Sequence, residues 1–321
     1  MIKITSLALC LMIGATVYAQ NTDVVSNGGG DISNASISLD SSIGELVVSD
    51  ISGSSLVLEQ GFQNTFLKVG LVVNAVVFLQ GPYNETDLLM NDDLRTQGLI
   101  PLKSPYVDDT TTTTQIVLDV VGDDAIVDWV FVEIRDRFVN NLVLAYQSGL
   151  LQRDGDVVDV DGISPIEFDL LSGTYYVSVT HRNHLGALSA NANLLTKLPD
   201  ALDFTDNSFT TFGNFARVQL GTGAMALWAG NVNGDTTIKY AGTTPDAADI
   251  LAYVLNSPQN FLNLPSFPIS GYSNLDVDMN GFAQYTGTNP DTPLILQNVL
   301  SYPGNFLGLS TWPIVEQLPE N

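Results

Sequence analysis

Through the first two thirds of the chain, apolar residues fall in short dense runs broken by Gly, Pro, Asn and Asp. The runs at 69–79, 115–121, 126–134, 142–146 and 174–180 are rich in β-branched and aromatic residues and read as strands. No stretch of helical period separates them, so the pattern predicts a mainly β fold, an antiparallel β-sandwich rather than a parallel α/β sheet. In the run 175–180 the two-residue period puts Tyr175, Val177 and Val179 on one face and Tyr176, Ser178 and Thr180 on the other, predicting one buried side. The same period groups Val130, Val132 and Ile134 against Trp129, Phe131 and Glu133, with Val132 in the core and Glu133 reaching solvent or an ion partner. Residues 21–66 are rich in Gly and Ser and read as hairpins, with turns at 28–30 and 52–54. The five threonines Thr110 to Thr114 read as a solvated loop leading into a strand.

From Ala229 the texture changes and a repeat appears. Residues 231–262 align without a gap on 276–307, an offset of 45, with fourteen of 32 positions identical. Each copy ends in a helical pattern: Ile250, Leu251, Val254 and Leu255 share one face, with Thr244 as N-cap and Pro245 at the first helical position, and Asn289 and Pro290 repeat that start.

The heads of the copies carry the chemistry. Asn231, Asn233 and Asp235 in the first, and Asp276, Asp278 and Asn280 in the second, place oxygen-bearing side chains at loop positions 1, 3 and 5. Alternate residues of a tightly curled loop point inward, and hard divalent ions take such oxygens, so the spacing matches the first half of an EF-hand loop. Where that loop has its acidic twelfth residue, both copies insert Tyr-x-Gly-Thr-x-Pro-Asp, making Asp246 and Asp291 the shared acidic candidates; Asp249 is a further carboxylate of the first copy only. Asx-turns with carboxylates stabilising helix N-termini are the alternative, and they require no metal.

On these residues the pair resembles a dockerin-type duplicated calcium module, and its insert is more similar to the C-terminal part of haemagglutinin-like secreted proteins of the Bacteroidota. The resemblance extends through Phe78 to Tyr83, Asp128 to Asp136, Leu151 to Asp156 and His181 to Gly186, covering most of residues 68–307. It implies secretion and calcium (Ca2+) as the bound ion, with a cohesin-like partner as the kind a dockerin takes. Asn231, Thr236, Ala247-Ala248 and Thr292-Pro293-Leu294 depart from the family pattern, and the Lys- and Gly-rich sorting domain of type IX secretion substrates does not follow.

Charge sharpens the picture. The 321 residues include 35 acidic and 11 basic ones, for a net charge of −24, which disfavours nucleic acid and anionic membrane as partners and favours a cation. Lys3, the apolar run that follows it and Val17-Tyr18-Ala19 predict a signal peptide over 1–19, too short for a spanning helix. Its removal takes the net charge to −25 and removes Cys10, the one cysteine, leaving no disulfides. The predicted organisation is thus a leader at 1–19, an N-terminal hairpin region at 20–67, a central sandwich at 68–224 and a small α-helical repeat pair at 225–321.

Other constellations read as structural. His181 and His184 lack a third zinc ligand, Arg182 pairs with an acidic neighbour, and Asp154 to Asp156 and Asp159 to Gly162 are turns. Asp128, Glu133, Asp136 and Glu167 are the acids that a glycosidase pair would draw on, but none is flanked in a manner that marks it. The expected function is a secreted or cell-surface, non-enzymatic binding or adhesion protein, with a glycan or a cell-surface protein as partner; the alternative is an accessory or degenerate polysaccharide-acting enzyme.

Overall fold

The computed structural model describes residues 29–33, 38–42, 51–52, 57–58 and 70–319. The chain forms two compact units, Met1–Lys68 and Val69–Asn321. In the first, Gly29–Ser33 pairs antiparallel with Ser38–Ser42, and Ile51–Ser52 with Val57–Leu58. The hairpin reading holds for these pairs, with one correction. Gly29 and Gly30 belong to a strand rather than a turn, because Ser42 and Ser41 supply their backbone partners. The leader at 1–19 and the parts of the hairpin region between these strands lie outside the described residues.

The second unit is mainly β. An eight-stranded curled sheet is built on the hairpin of Ile126–Arg135 and Val143–Gln152, ten residues each. From it the order runs outward through Gly173–His181 to His184–Leu188 on one side. On the other side it passes through Asp156–Val158 and Ala75–Val76 to Leu202–Asp203. The last pairing is parallel, so the sheet is not wholly antiparallel as the turn pattern predicted. A two-stranded sheet of Leu71–Val73 and Ile166–Phe168 packs close by; a Cβ on Gly149 would lie 2.5 Å from Ile166 Cδ1.

The central strand is covered on both faces. Val130, Val132 and Ile134 are fully buried, and so is Trp129 on the opposite face, whose indole N–H donates to the Pro101 carbonyl. Glu133 takes the ion partner expected of it, Arg135 at 2.7 Å, and also accepts from Ser178 Oγ. Val177 and Val179 are fully buried as predicted, and Ser178 on the other face of the strand is fully buried as well. The chain end supplies the cover: Glu316 accepts from the Gly186 N–H, and Arg135 donates to the Pro319 carbonyl.

Residues 115–121 are a second correction. Gln115–Leu118 is a single helical turn, not a strand. Its N–H groups find local partners, Val117 and Leu118 on the Thr114 carbonyl and Asp119 on that of Gln115, and only Leu118 is fully buried. Ile116 and Val121 face solvent, so the β-branched run mimics a strand without the alternating burial that would stabilise one. The threonines before it do form a loop, held by the Thr113 hydroxyl on the Val160 carbonyl.

The repeats make a second hydrophobic cluster inside the same unit, with Ile250 and Val254 of one helix and Ile295 and Val299 of the other around Trp228 and Ile314. The helices are Asp246–Asn256 and Thr292–Ser301. Each starts after the predicted position: Pro245 has an extended backbone (ψ 139°) and caps the first helix instead of opening it, and Asp291 caps the second. Among the described residues no helix is long and apolar enough to cross a membrane.

Candidate metal centre

The two repeats have the same internal wiring. Asp246 accepts the Val232 N–H on one carboxylate oxygen and the Lys239 N–H on the other; Asp291 does the same for Val277 and Gln284. Each carboxylate thus ties the loop head to the segment just before the helix. Past the helices, Asn260 donates to the Val254 and Leu264 carbonyls and accepts the Leu264 N–H, and Asn305 repeats all three bonds with Val299 and Leu309. Backbone signs repeat as well. Gly234 and Met279 have φ of 70° and 58°, and Thr236 and Gly281 have 67° and 91°. Thr236 therefore holds a left-handed conformation that its counterpart leaves to glycine, at a cost of about 1–2 kcal/mol.

The second loop gathers charge. Carboxylate oxygens of Asp276, Asp278 and Asp291 all lie within 4.8 Å of one another, two of the residues being buried and Asp278 half-buried. Asp276 accepts the N–H groups of Asn280 (3.0 Å) and Gly281 (2.8 Å). Asp278 accepts the backbone and side-chain N–H groups of Asn280, whose own oxygen accepts the Phe282 N–H. No Lys or Arg forms an ion pair with the three acids among the described residues. Burial, then the charges of Asp291 and Asp278, push Asp276 up to about 8. Burial, then the charge of Asp278, carries Asp291 to about 7, and burial also raises Asp278.

The first loop is looser. Asp246 is raised to about 6 by burial and by Asp235. Asp235 turns to the Thr237 N–H and hydroxyl, and the Lys239 ammonium stands 3.9 Å from it. Asn233 gives its amide to Asp249 at 3.2 Å. Asn231, at loop position 1, is buried with a side-chain oxygen that has no hydrogen-bond partner. Of the eight sequence-derived candidates, the structure brings Asp276, Asp278 and Asp291 together and leaves Asn231, Asn233, Asp235 and Asp246 as a partial set. Asn280 presents its amide nitrogen, not its oxygen, to Asp278.

A buried polar group around Asp128 and Arg182 lies beside these heads. Asp128 accepts from Arg182 Nε (2.8 Å), Tyr272 (2.7 Å) and His181 Nε2 (3.1 Å). Burial works to raise Asp128, but Arg182, the His181 bond and Tyr272 outweigh it and hold the carboxyl at about 2. His184 Nε2 accepts the Gly81 N–H, so its proton sits on Nδ1, which faces His181 Nδ1 and Asn183 Oδ1. Burial lowers both histidines, and their nitrogens are spent on each other, on Asp128, on the Asn183 side chain and on the backbone rather than turned to a common ligand point. The signal was present in the sequence, as four consecutive polar residues, His181 to His184, directly after an apolar strand. Asp154, Asp159 and Asp161 are turn residues as expected, with Asp161 accepting the Ile163 and Ser164 N–H groups, whereas Asp156 opens a strand paired with Val76.

Comparison with family models, curated proteins and solved structures finds no match to this chain.

Proposed function

We propose that this chain is a secreted, non-enzymatic binding or adhesion protein whose C-terminal repeats form a dockerin-like module that binds calcium. The observation that carries the reading is the Asp276, Asp278 and Asp291 cluster: three carboxylates within 4.8 Å whose mutual charge and burial outweigh the one nearby cation, Arg182, which is spent on Asp128. Gathering such charges is unfavourable unless protons or a cation neutralise them, and near neutral pH a divalent cation does so without spending protons. The donors are all oxygen, with no Cys or His in either loop, which suits a hard ion and not zinc. The unpartnered Asn231 oxygen fits the same role in the first loop. Asp276, Asp278 and Asp291 would hold the ion in the second loop. Asn231, Asp235 and Asp246 would hold a weaker one in the first, where Lys239 competes.

A binding role is supported by where the other acids go. Asp128 is bound by Arg182, Glu133 by Arg135, and Asp136 caps the Phe138 and Val139 N–H groups, so these carboxylates serve the fold rather than a bond-cleaving pair. A hollow of about 500 Å³ beside the first repeat helix is lined by Tyr253, Asn256, Gln259 and Ser270, among others, with no formal charge. Aromatic and amide side chains of this kind suit a neutral glycan. The test is binding of the full-length secreted chain to a neutral glycan array with and without calcium chelator. The reading expects binding that weakens on chelation, and absence of binding under both conditions would contradict it.

A further inference from the structure

Asn183 touches both loop heads at their first positions. Its backbone carbonyl accepts the N–H groups of Gly230 (2.9 Å) and Asn231 (3.1 Å), fixing the peptide that leads into the first loop. Its side-chain amide donates to the Asp276 carbonyl at 2.7 Å, fixing the start of the second. The residue is fully buried and cannot follow one loop without moving against the other. Its remaining acceptor is held by His184 Nδ1 at 2.7 Å, and the neighbouring Arg182 and His181 are anchored on Asp128. From the sheet side Gly81 closes the same junction: its N–H donates to His184, and a Cβ there would come within 2.1 Å of the Val277 carbonyl oxygen.

We infer that Asn183 is a positioning residue that makes the two cation loops one cooperative unit, the first ion ordering the peptide frame that the second ion needs. The inference rests on the calcium reading above and adds a regulation to it. The two arms are chemically distinct. The arm to the first loop is backbone and survives substitution, whereas the arm to the second is the side-chain amide and does not. Side-chain changes at this position therefore break the link while leaving the frame of the first loop in place.

The experiment is calorimetric titration of the full chain with calcium in a thermodynamic cycle. Asp278→Asn isolates the first loop and Asp235→Asn the second. The overall two-ion affinity of the unsubstituted chain is then compared with the product of the two isolated affinities. Cooperativity is expected to make the overall value greater by about fivefold or more. In an Asn183→Ser background the excess is expected to vanish while the isolated first-loop affinity stays within about twofold. Asn183→Asp keeps the shape and the His184 bond but sets an acceptor against the Asp276 carbonyl, and it should abolish the excess likewise. An overall affinity equal to the product in the unsubstituted chain overturns the inference whether or not the Asn183 variants fold, as does an excess that persists in them. Failure of calcium to bind at all overturns the calcium reading itself, a different outcome from binding at two independent loops.

Discussion

Asp278→Asn should change stability in opposite directions with and without calcium. Asp278 lies with Asp276 and Asp291 inside a 4.8 Å cluster. At that separation and an effective dielectric constant of about 20, a like-charge pair costs about 3.5 kcal/mol. Asp278 is half-buried, so solvent screens its two pairs, and about 3.5 kcal/mol is taken as their combined cost. The substitution also disturbs the bond from the Asn280 amide, worth about 1 kcal/mol. The net gain for the cation-free protein is then about 2.5 kcal/mol, or roughly 5–10 °C in melting temperature for a unit of this size. The gain depends on ionisation. Asp276 and Asp291 are raised in the fold to about 8 and about 7, so the cation-free protein is most stable with both protonated, near the unfolded carboxylate pKa. That stability is lost as pH rises through the folded values, and the gain from Asp278→Asn should be large at about pH 8.5 and small at about pH 5. With calcium at about a thousand times its dissociation constant the unsubstituted chain gains about 4.1 kcal/mol, and the variant forgoes most of it, so the parent is then the more stable of the two. Thermal denaturation followed by circular dichroism, in chelator and in millimolar calcium at both pH values, measures all four numbers. A variant less stable than the parent in chelator at high pH would refute the reasoning and make Asp278 a turn residue whose hydrogen bonds outweigh its charge.

Gly81→Ala should impair docking of the second repeat, since the added Cβ meets the Val277 carbonyl oxygen rather than a flexible side chain; a loss of several degrees in melting temperature is expected. Asn305→Ala removes three buried hydrogen bonds and strands the Val299 and Leu309 carbonyls, so chemical denaturation should report a loss of about 2–3 kcal/mol, with Asn260→Ala close to it. Val132→Asp places a charge in the middle of the central strand, which is covered on both faces, and soluble folded protein should not be recovered.

The fold was legible where sequence period and burial agree. The long strands 126–135 and 173–181 carry β-branched and aromatic residues over nine or ten positions, and the repeat reported its own duplication through the offset of 45. It was not legible where composition and partner diverge. Residues 115–121 include Ile116, Val117, Val120 and Val121 but have no partner strand among the described residues, so 115–118 curl into a helical turn, and Ser178 is buried although it lies on the polar side of its strand. At the loops, spacing identified the residues but not their bonding. Asp246 and Asp291 occupy matching positions in the two copies, yet only the structure shows each carboxylate bridging two backbone N–H groups. Asn183 was invisible as a link because both its contacts, to residues 230–231 and to 276, are long-range in sequence.

The calcium reading is tested most directly by isothermal titration of the full chain with calcium at about pH 7.5, with melting temperature followed in parallel. The account predicts binding heat, proton release as Asp276 and Asp291 give up their raised pKa values, and a melting temperature that climbs with calcium. No heat and an unchanged melting temperature at millimolar calcium would contradict it, and would leave the two loops as turns held by hydrogen bonds alone.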